Sequence, residues 1–476
     1  MTLIRAAIPA AFLIFSVLGC LFGTQASASE IEVVEAEEIL AEIRDGEAVE
    51  RFQVRIEGDL DLRSLEGGVR SPVTIVDCEI AGPVRMEGAA FDGPVRFEET
   101  NFEEMALFSG ARFNASADFS YSTFEDTVFF DSTQFGGDAR FCATRFGRDA
   151  YFSNAVFSGI SDFNFTRFAE EYVLFDGVRF CGPAHFEDAE FGRWTNFYGS
   201  RFSEEADFLL ATFPGRSFIA NVTFEGDAKF AGVEFDSFAE FEDSRFEGDF
   251  LLYGSTISYM KLNGTVFGEG SQVHLNNTEI EGFVIPWRTM EDHLVFRDEV
   301  YMGLVENYKR LGWFQDADNC YYHYRKLSQE RKPVGWSKAI DHLAWLSCGY
   351  GVRPDFTFAW SLSIILLFGS VFYLGGGLLQ PEGPGEGALP FSAGSSEVKV
   401  AGEASPREGA AACGSAGPEP PGFGEAIYFS SLVFIAQAPA EYRARGRYRY
   451  LVIFEGILGW LMLALFLVGL GNLMIR

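Results

Sequence analysis

Apolar and polar positions along this chain follow three different rhythms. The longest stretch begins at Ala81 and is built from units of eleven, with Phe at the sixth and eleventh places. One unit is Gly136-Gly137-Asp138-Ala139-Arg140-Phe141-Cys142-Ala143-Thr144-Arg145-Phe146. The run Phe91, Phe97, Phe102, Phe108, Phe113, Phe119, Phe124 and Phe130 alternates steps of six and five. It continues to Phe168 before one extra residue enters ahead of Phe175, and reaches Phe246 with substitutions such as Ile219. Two residues before most of these Phe positions stands a small one, as at Ala106, Ala111, Ala117, Ser122, Thr133, Ala139 and Thr144. Period-two alternation sends the small residue and the Phe inward and the polar residue between them outward, as with Arg112, Asp118 and Arg140. A helix would need apolar residues three and four apart, and these are missing. Repetition at a fixed short period predicts a solenoid of stacked coils.

The second rhythm is continuous apolarity at the two ends. Residues 1–28 read as an export signal, with Arg5 before the apolar stretch and Ala26-Ser27-Ala28 as a small-residue cleavage site. An uncleaved anchor is the alternative, and Val17-Leu18-Gly19-Cys20 is a poorer, lipobox-like one. Near the other end, residues 356–381 and 456–475 carry no charge and meet the requirement of ~20 apolar residues for crossing a bilayer.

Composition narrows the function classes. Lys plus Arg is 37 against 68 Asp plus Glu, a formal net charge of −31. Such a surface repels phosphate backbones and argues against a nucleic-acid partner. There are five His and seven Cys, and none falls into C-x-x-C or H-E-x-x-H spacing. His185 and His274 are lone histidines, with no second His close by in sequence. No catalytic constellation, cofactor motif or metal site is expected, so an enzyme is the least supported class. The 51 Phe residues equal the Gly count, and the repeat accounts for most of them.

The small–polar–Phe unit resembles the pentapeptide-repeat family, here in a Phe-rich variant with alternate five- and six-residue steps. The resemblance implies a four-sided, right-handed β-solenoid over residues 81–283. A stacked solenoid needs its end edges covered. Residues 29–80 are read as the N-terminal cap, with Ile39, Leu40 and Ile43 on one helical face and Val54, Ile56, Leu60 and Leu62 alternating as in strands. Residues 284–353 form a helical connector, with Val300, Leu304 and Tyr308 on one face and Ala317, Tyr321 and Tyr324 on another. The Gly349-Tyr350-Gly351 run precedes the first apolar span and is read as a tight turn.

The third rhythm lies between the spans. After the first membrane helix (354–379), residues 380–423 form a Gly/Pro/Glu/Ala/Ser-rich linker without periodicity. Residues 424–448 then hold a short apolar stretch, a loop and the basic cluster Arg443, Arg445 and Arg447, with Arg449 opening the second membrane helix (449–476). Long helix, short re-entrant helix, loop and long helix is the plan of a two-transmembrane pore. Ala426-Ile427-Tyr428-Phe429-Ser430-Ser431 and Phe454-Glu455-Gly456-Ile457-Leu458-Gly459 resemble the pore helix and inner helix of potassium-channel-like proteins. The whole combination resembles a family of archaeal membrane proteins.

Where a potassium filter has Thr-Val-Gly-Tyr-Gly-Asp, this chain aligns Ala436, Gln437, Ala438, Pro439, Ala440 and Glu441. Potassium filters coordinate ions with backbone carbonyls, in conformations that glycine reaches freely and Ala438 and Ala440 only with strain, while Pro439 fixes its own φ. The expectation is an integral membrane protein of the cell membrane with a degenerate filter, assembling as a homo-oligomer, a tetramer if it forms a pore. A ring of Glu441 carboxylates and Gln437 amides would favour monovalent cations weakly. Glu455 is an inner-helix candidate, because a carboxylate at that depth faces protein or water. The alternative is a non-conducting, membrane-anchored adhesion or structural scaffold. The export signal and the positive-inside bias of the four Arg residues argue for a solenoid outside the cytoplasm. Without the signal the orientation would flip, and the basic connector Arg325, Lys326, Arg331 and Lys332 argues for that alternative.

Overall fold

The computed structural model describes residues 31–65, 67–168, 172–379, 421–437 and 442–474. Residues 1–28, read from sequence as an export signal, nearly all of the segment 380–423, and Ala438, Pro439, Ala440 and Glu441 lie outside the described residues. The chain divides into two units, Met1–Trp313 and Phe314–Arg476.

The first unit is a β-solenoid. Its short strands form parallel sheets of seven, thirteen, nine and eleven members wound as a four-sided coil, and the largest takes in two sides where Glu234–Glu240 and Thr256–Lys261 turn a corner. Each strand pairs with the one a full coil away, so Phe113 sits opposite both Phe91 and Phe135, 22 residues on either side. Two eleven-residue units therefore make one coil. The inward–outward alternation is as the sequence predicts: Ala139 and Phe141 are buried and Arg140 between them is exposed.

Stacking of like on like fills the interior. Phe119, Phe141 and Phe163 form a column with centroids 5.1 and 4.8 Å apart and rings within 6° of parallel. Neighbouring columns meet edge-on, as Phe141 and Phe152 do at 5.6 Å and 89°. Both are favoured geometries for aromatic quadrupoles. Ser and Thr at the small positions have a second use. The hydroxyl of Thr144 donates to the Phe119 carbonyl at 2.7 Å and that of Thr166 to Phe141 at 2.8 Å, so these two buried hydroxyls are satisfied while tying coil to coil. The extra residue falls between Phe168 and Tyr172, and the column Phe152–Phe175 passes it at 4.7 Å and 4°.

The ladders begin well before residue 81. Glu32–Glu35 pairs with Val54–Glu57, and Val49–Phe52 with Val73–Val76, so strands assigned to the N-terminal cap are themselves part of the first coils. Helix α1 (Ala36–Asp45) interrupts them and buries Ala36, Ile39, Leu40 and Ile43. At the far end, α2 (Trp287–Met290) and α3 (Asp298–Arg310) bury Trp287, Tyr301, Leu304 and Tyr308. Asn307 closes the last edge: its side-chain oxygen accepts the Phe283 N–H at 3.0 Å and its side-chain nitrogen donates to the Phe283 carbonyl at 2.8 Å. The amide thus imitates the next strand.

The second unit is helical. In chain order it holds α4 (Phe314–Arg331), α5 (Trp336–Cys348), a 3-10 turn over Gly349–Gly351, α6 (Pro354–Leu374), α7 (Phe423–Phe434) and α8 (Tyr448–Met474). The Gly-Tyr-Gly run is a tight turn, with Tyr350 in the left-handed region at φ 60°. Helices α6 and α8 are long and apolar enough to cross a membrane. Leu378–Leu379 pairs antiparallel with Arg443–Ala444, joining the end of α6 to the start of α8.

Candidate functional site

The sequence singled out the segment between the two long helices, and its described part is a compact assembly. Helix α7 has 12 residues, about 18 Å of helix at ~1.5 Å per residue, against ~30 Å of bilayer hydrocarbon. The side chain of Glu425 accepts the Gly422 N–H at 2.7 Å, which fixes its start. It buries Ala426, Phe429, Val433 and Phe434 among Ile364, Phe368 and Phe372 of α6, with Leu378 and Tyr442 completing the cluster.

Two glycines permit this insertion. A Cβ on Gly369 of α6 would lie 3.0 Å from the Ile427 side chain, and one on Gly459 of α8 would lie 1.9 Å from the Phe434 carbonyl oxygen. Small residues let helices approach where packing rather than the hydrophobic effect holds them.

One polar knot joins all three helices. Ser430 on α7 bonds the Ile365 carbonyl of α6 at 2.9 Å and the carboxyl group of Glu455 on α8. Glu455 is fully buried in this packing. The second carboxyl oxygen has no hydrogen-bond partner among the described residues.

The filter-aligned residues begin where α7 ends. Ala436 takes a left-handed φ of 58°, its N–H bonds Val433 at 2.9 Å, and the Gln437 N–H bonds Leu432 at 2.8 Å. Both residues are exposed. The described chain resumes at buried Tyr442, and Arg443, Arg445, Arg447 and Arg449 are all exposed.

On the solenoid, neighbouring coils place outward residues in rows. His185, isolated in sequence, stands in register with Asp207, and with Glu205 these side chains offer three ligand atoms within 4.8 Å of one another. The distance along the chain is about one coil, which hides the group from local inspection. Lys229 already pairs with Glu205 at 2.5 Å, so the trio has a cation of its own. A second row is aromatic. Tyr172 packs against Trp194 at 6.3 Å, Trp194 against Phe218 at 4.7 Å, and Phe238 against Tyr259 at 4.8 Å; Tyr172, Trp194 and Phe238 are exposed. The Arg216 guanidinium covers Phe218 at 4.6 Å.

The comparisons bear on the first unit. The family model for pentapeptide repeats matches residues 75–123, 108–156 and 152–201, all within the solenoid. No curated protein and no solved structure matches the chain. With the small–polar–Phe unit, the 22-residue coil and the four-sided parallel stacking, that match identifies residues 75–201 as pentapeptide repeats within a phenylalanine-rich β-solenoid.

Proposed function

We propose that this is a multi-pass protein of the cell membrane whose second unit is a channel-like module, related in plan to potassium channels, with the solenoid outside the cytoplasm. The observation that carries the reading is a helix too short to span, inserted between two helices of spanning length and tied to both through Ser430. Non-helical backbone at membrane depth is tolerated only where it is covered by protein or lines water. Ala436 and Gln437, just after α7, therefore border an opening, and because one copy cannot enclose an opening, copies assemble around it as a homo-oligomer, a tetramer by analogy of plan. Without filter glycines the opening selects weakly, and Gln437 and Glu441 set its preference for monovalent cations. The export signal and the arginines at 443–449 support the orientation.

The decisive experiment is cation flux through the full-length protein in liposomes, under separate potassium and sodium gradients. Flux of both ions, reduced in Glu441→Gln, is the expected result. Absence of flux for either ion overturns the pore reading. The exposed aromatic row Tyr172–Trp194 then favours a second reading, a membrane-tethered scaffold whose solenoid binds an envelope component. That reading requires the solenoid-bearing protein to retain an envelope fraction that Trp194→Ala releases.

A further inference from the structure

Helix α5 carries an apolar face that the described residues leave uncovered. Trp336, Ile340, Leu343 and Leu346 recur three and four apart and so share one side of the helix. They are 87, 64, 66 and 47% exposed. The other side is polar and held in place. Its one carboxylate, Asp341, is buried and takes Arg325 at 3.0 Å and Lys332 at 2.5 Å. Lys332, then Arg325, holds this carboxyl below its usual range, so it stays paired at neutral pH. In a chain of net charge −31, residues 331–353 hold four basic side chains, Arg331, Lys332, Lys338 and Arg353, against that single acid.

The face continues into a helix of spanning length. One 3-10 turn separates α5 from α6. The Trp360 indole N–H donates to the Leu346 carbonyl at 2.7 Å and the Thr357 hydroxyl to Ser347 at 3.1 Å, fixing the last turn of α5 beside the first turns of α6. An open apolar groove of about 300 Å³ runs between them, lined by Trp345, Leu346, Phe356, Ala359, Trp360 and Ser363. Tryptophan at a helix entrance and basic residues flanking an apolar face match the headgroup level of a bilayer.

We infer that α5 lies in the interface of the bilayer, its Trp336–Leu346 face against acyl chains and the α5–α6 groove occupied by one. The inference rests on the reading that α6 crosses the membrane. The α5 face meets the flank of α6 at this groove through Leu346, and the single acid of α5 is buried and paired with Arg325 and Lys332. Both features fit lipid better than a soluble protein partner.

The test uses the full-length chain in phosphatidylcholine–phosphatidylglycerol vesicles whose lipids carry a nitroxide either near the headgroup or near the acyl terminus. A fluorescent side chain is introduced genetically at position 340, at 366 on α6, or at 121 on the solenoid; the native residues Ile340, Leu366 and Tyr121 are all exposed. Expected is loss of fluorescence at 340 mainly with the headgroup-proximal nitroxide, at 366 mainly with the terminal one, and at 121 with neither. No loss at 340 with loss at 366 overturns the interfacial helix and leaves the membrane reading standing. No loss at either overturns both. Self-quenching among labels at 340 without nitroxide quenching assigns the face to a second copy, which also overturns the inference.

Discussion

The Ser430 hydroxyl lies between the Glu455 carboxyl group and the Ile365 carbonyl, so a single side chain on the short helix bridges both long ones. The hydroxyl has one hydrogen and two oxygen neighbours, and a donor at position 455 completes the chain. Glu455→Gln supplies such a donor permanently and keeps the module's thermal unfolding in detergent close to that of the parent. Glu455→Ala strips the knot of its α8 partner and costs on the order of 1–3 kcal/mol, read as a lower melting temperature.

Gly459 makes a second, purely steric test. A methyl there would meet the Phe434 carbonyl at 1.9 Å, whereas one on Gly456 would stand 3.8 Å from the nearest backbone oxygen. Gly459→Ala therefore separates α7 from α8 and lowers the yield of folded protein in detergent, while Gly456→Ala is tolerated. Size-exclusion profiles of the two variants distinguish these outcomes.

Within the solenoid, Phe141 stacks on both coils beside it and is fully buried. Truncation to Ala is expected to cost ~3–5 kcal/mol. Because coils touch only their neighbours, amide exchange accelerates in the coils around residue 141 first. Uniform acceleration along the solenoid would contradict this.

Asn307 is expected to matter through backbone alone. Asn307→Leu leaves the Phe283 N–H and carbonyl without their partner, at about 1–3 kcal/mol for each buried group. The Phe283 amide then exchanges faster, and Asn307→Asp, which keeps only the acceptor, restores part of the protection.

Tyr350 gives the second unit an alkaline limit. Burial raises its phenol from the ordinary 10.0 to about 12. The folded state holds the proton more tightly than the unfolded chain, so this contribution is complete below pH ~10 and is lost as pH rises from ~10 through about 12. A Tyr350→Phe variant should show a flatter stability profile over that window, measured by melting in detergent at stepped pH.

The solenoid could be read from sequence because its contacts repeat. Phe141 meets Phe119 and Phe163 at a constant offset, so one unit implies the rest. Groups that meet only once were invisible. Ser430 and Glu455 are 25 residues apart on different helices, and His185 and Asp207 share a face only because a coil is 22 residues long. Asn307 lies in a stretch read merely as helical connector, and nothing local marks it as the partner of Phe283. Ala436 and Gln437 directly follow α7, and Glu455 is buried against that helix.

A coil of constant height has a consequence for how such a protein changes length. Each coil adds one strand to every side and ends on the same backbone pattern with which it began, so duplication or loss of 22 residues leaves every remaining junction chemically intact. The rod is then a ruler graduated in steps of ~4.8 Å. Evolution or an engineer can set its reach one graduation at a time, without redesigning either end.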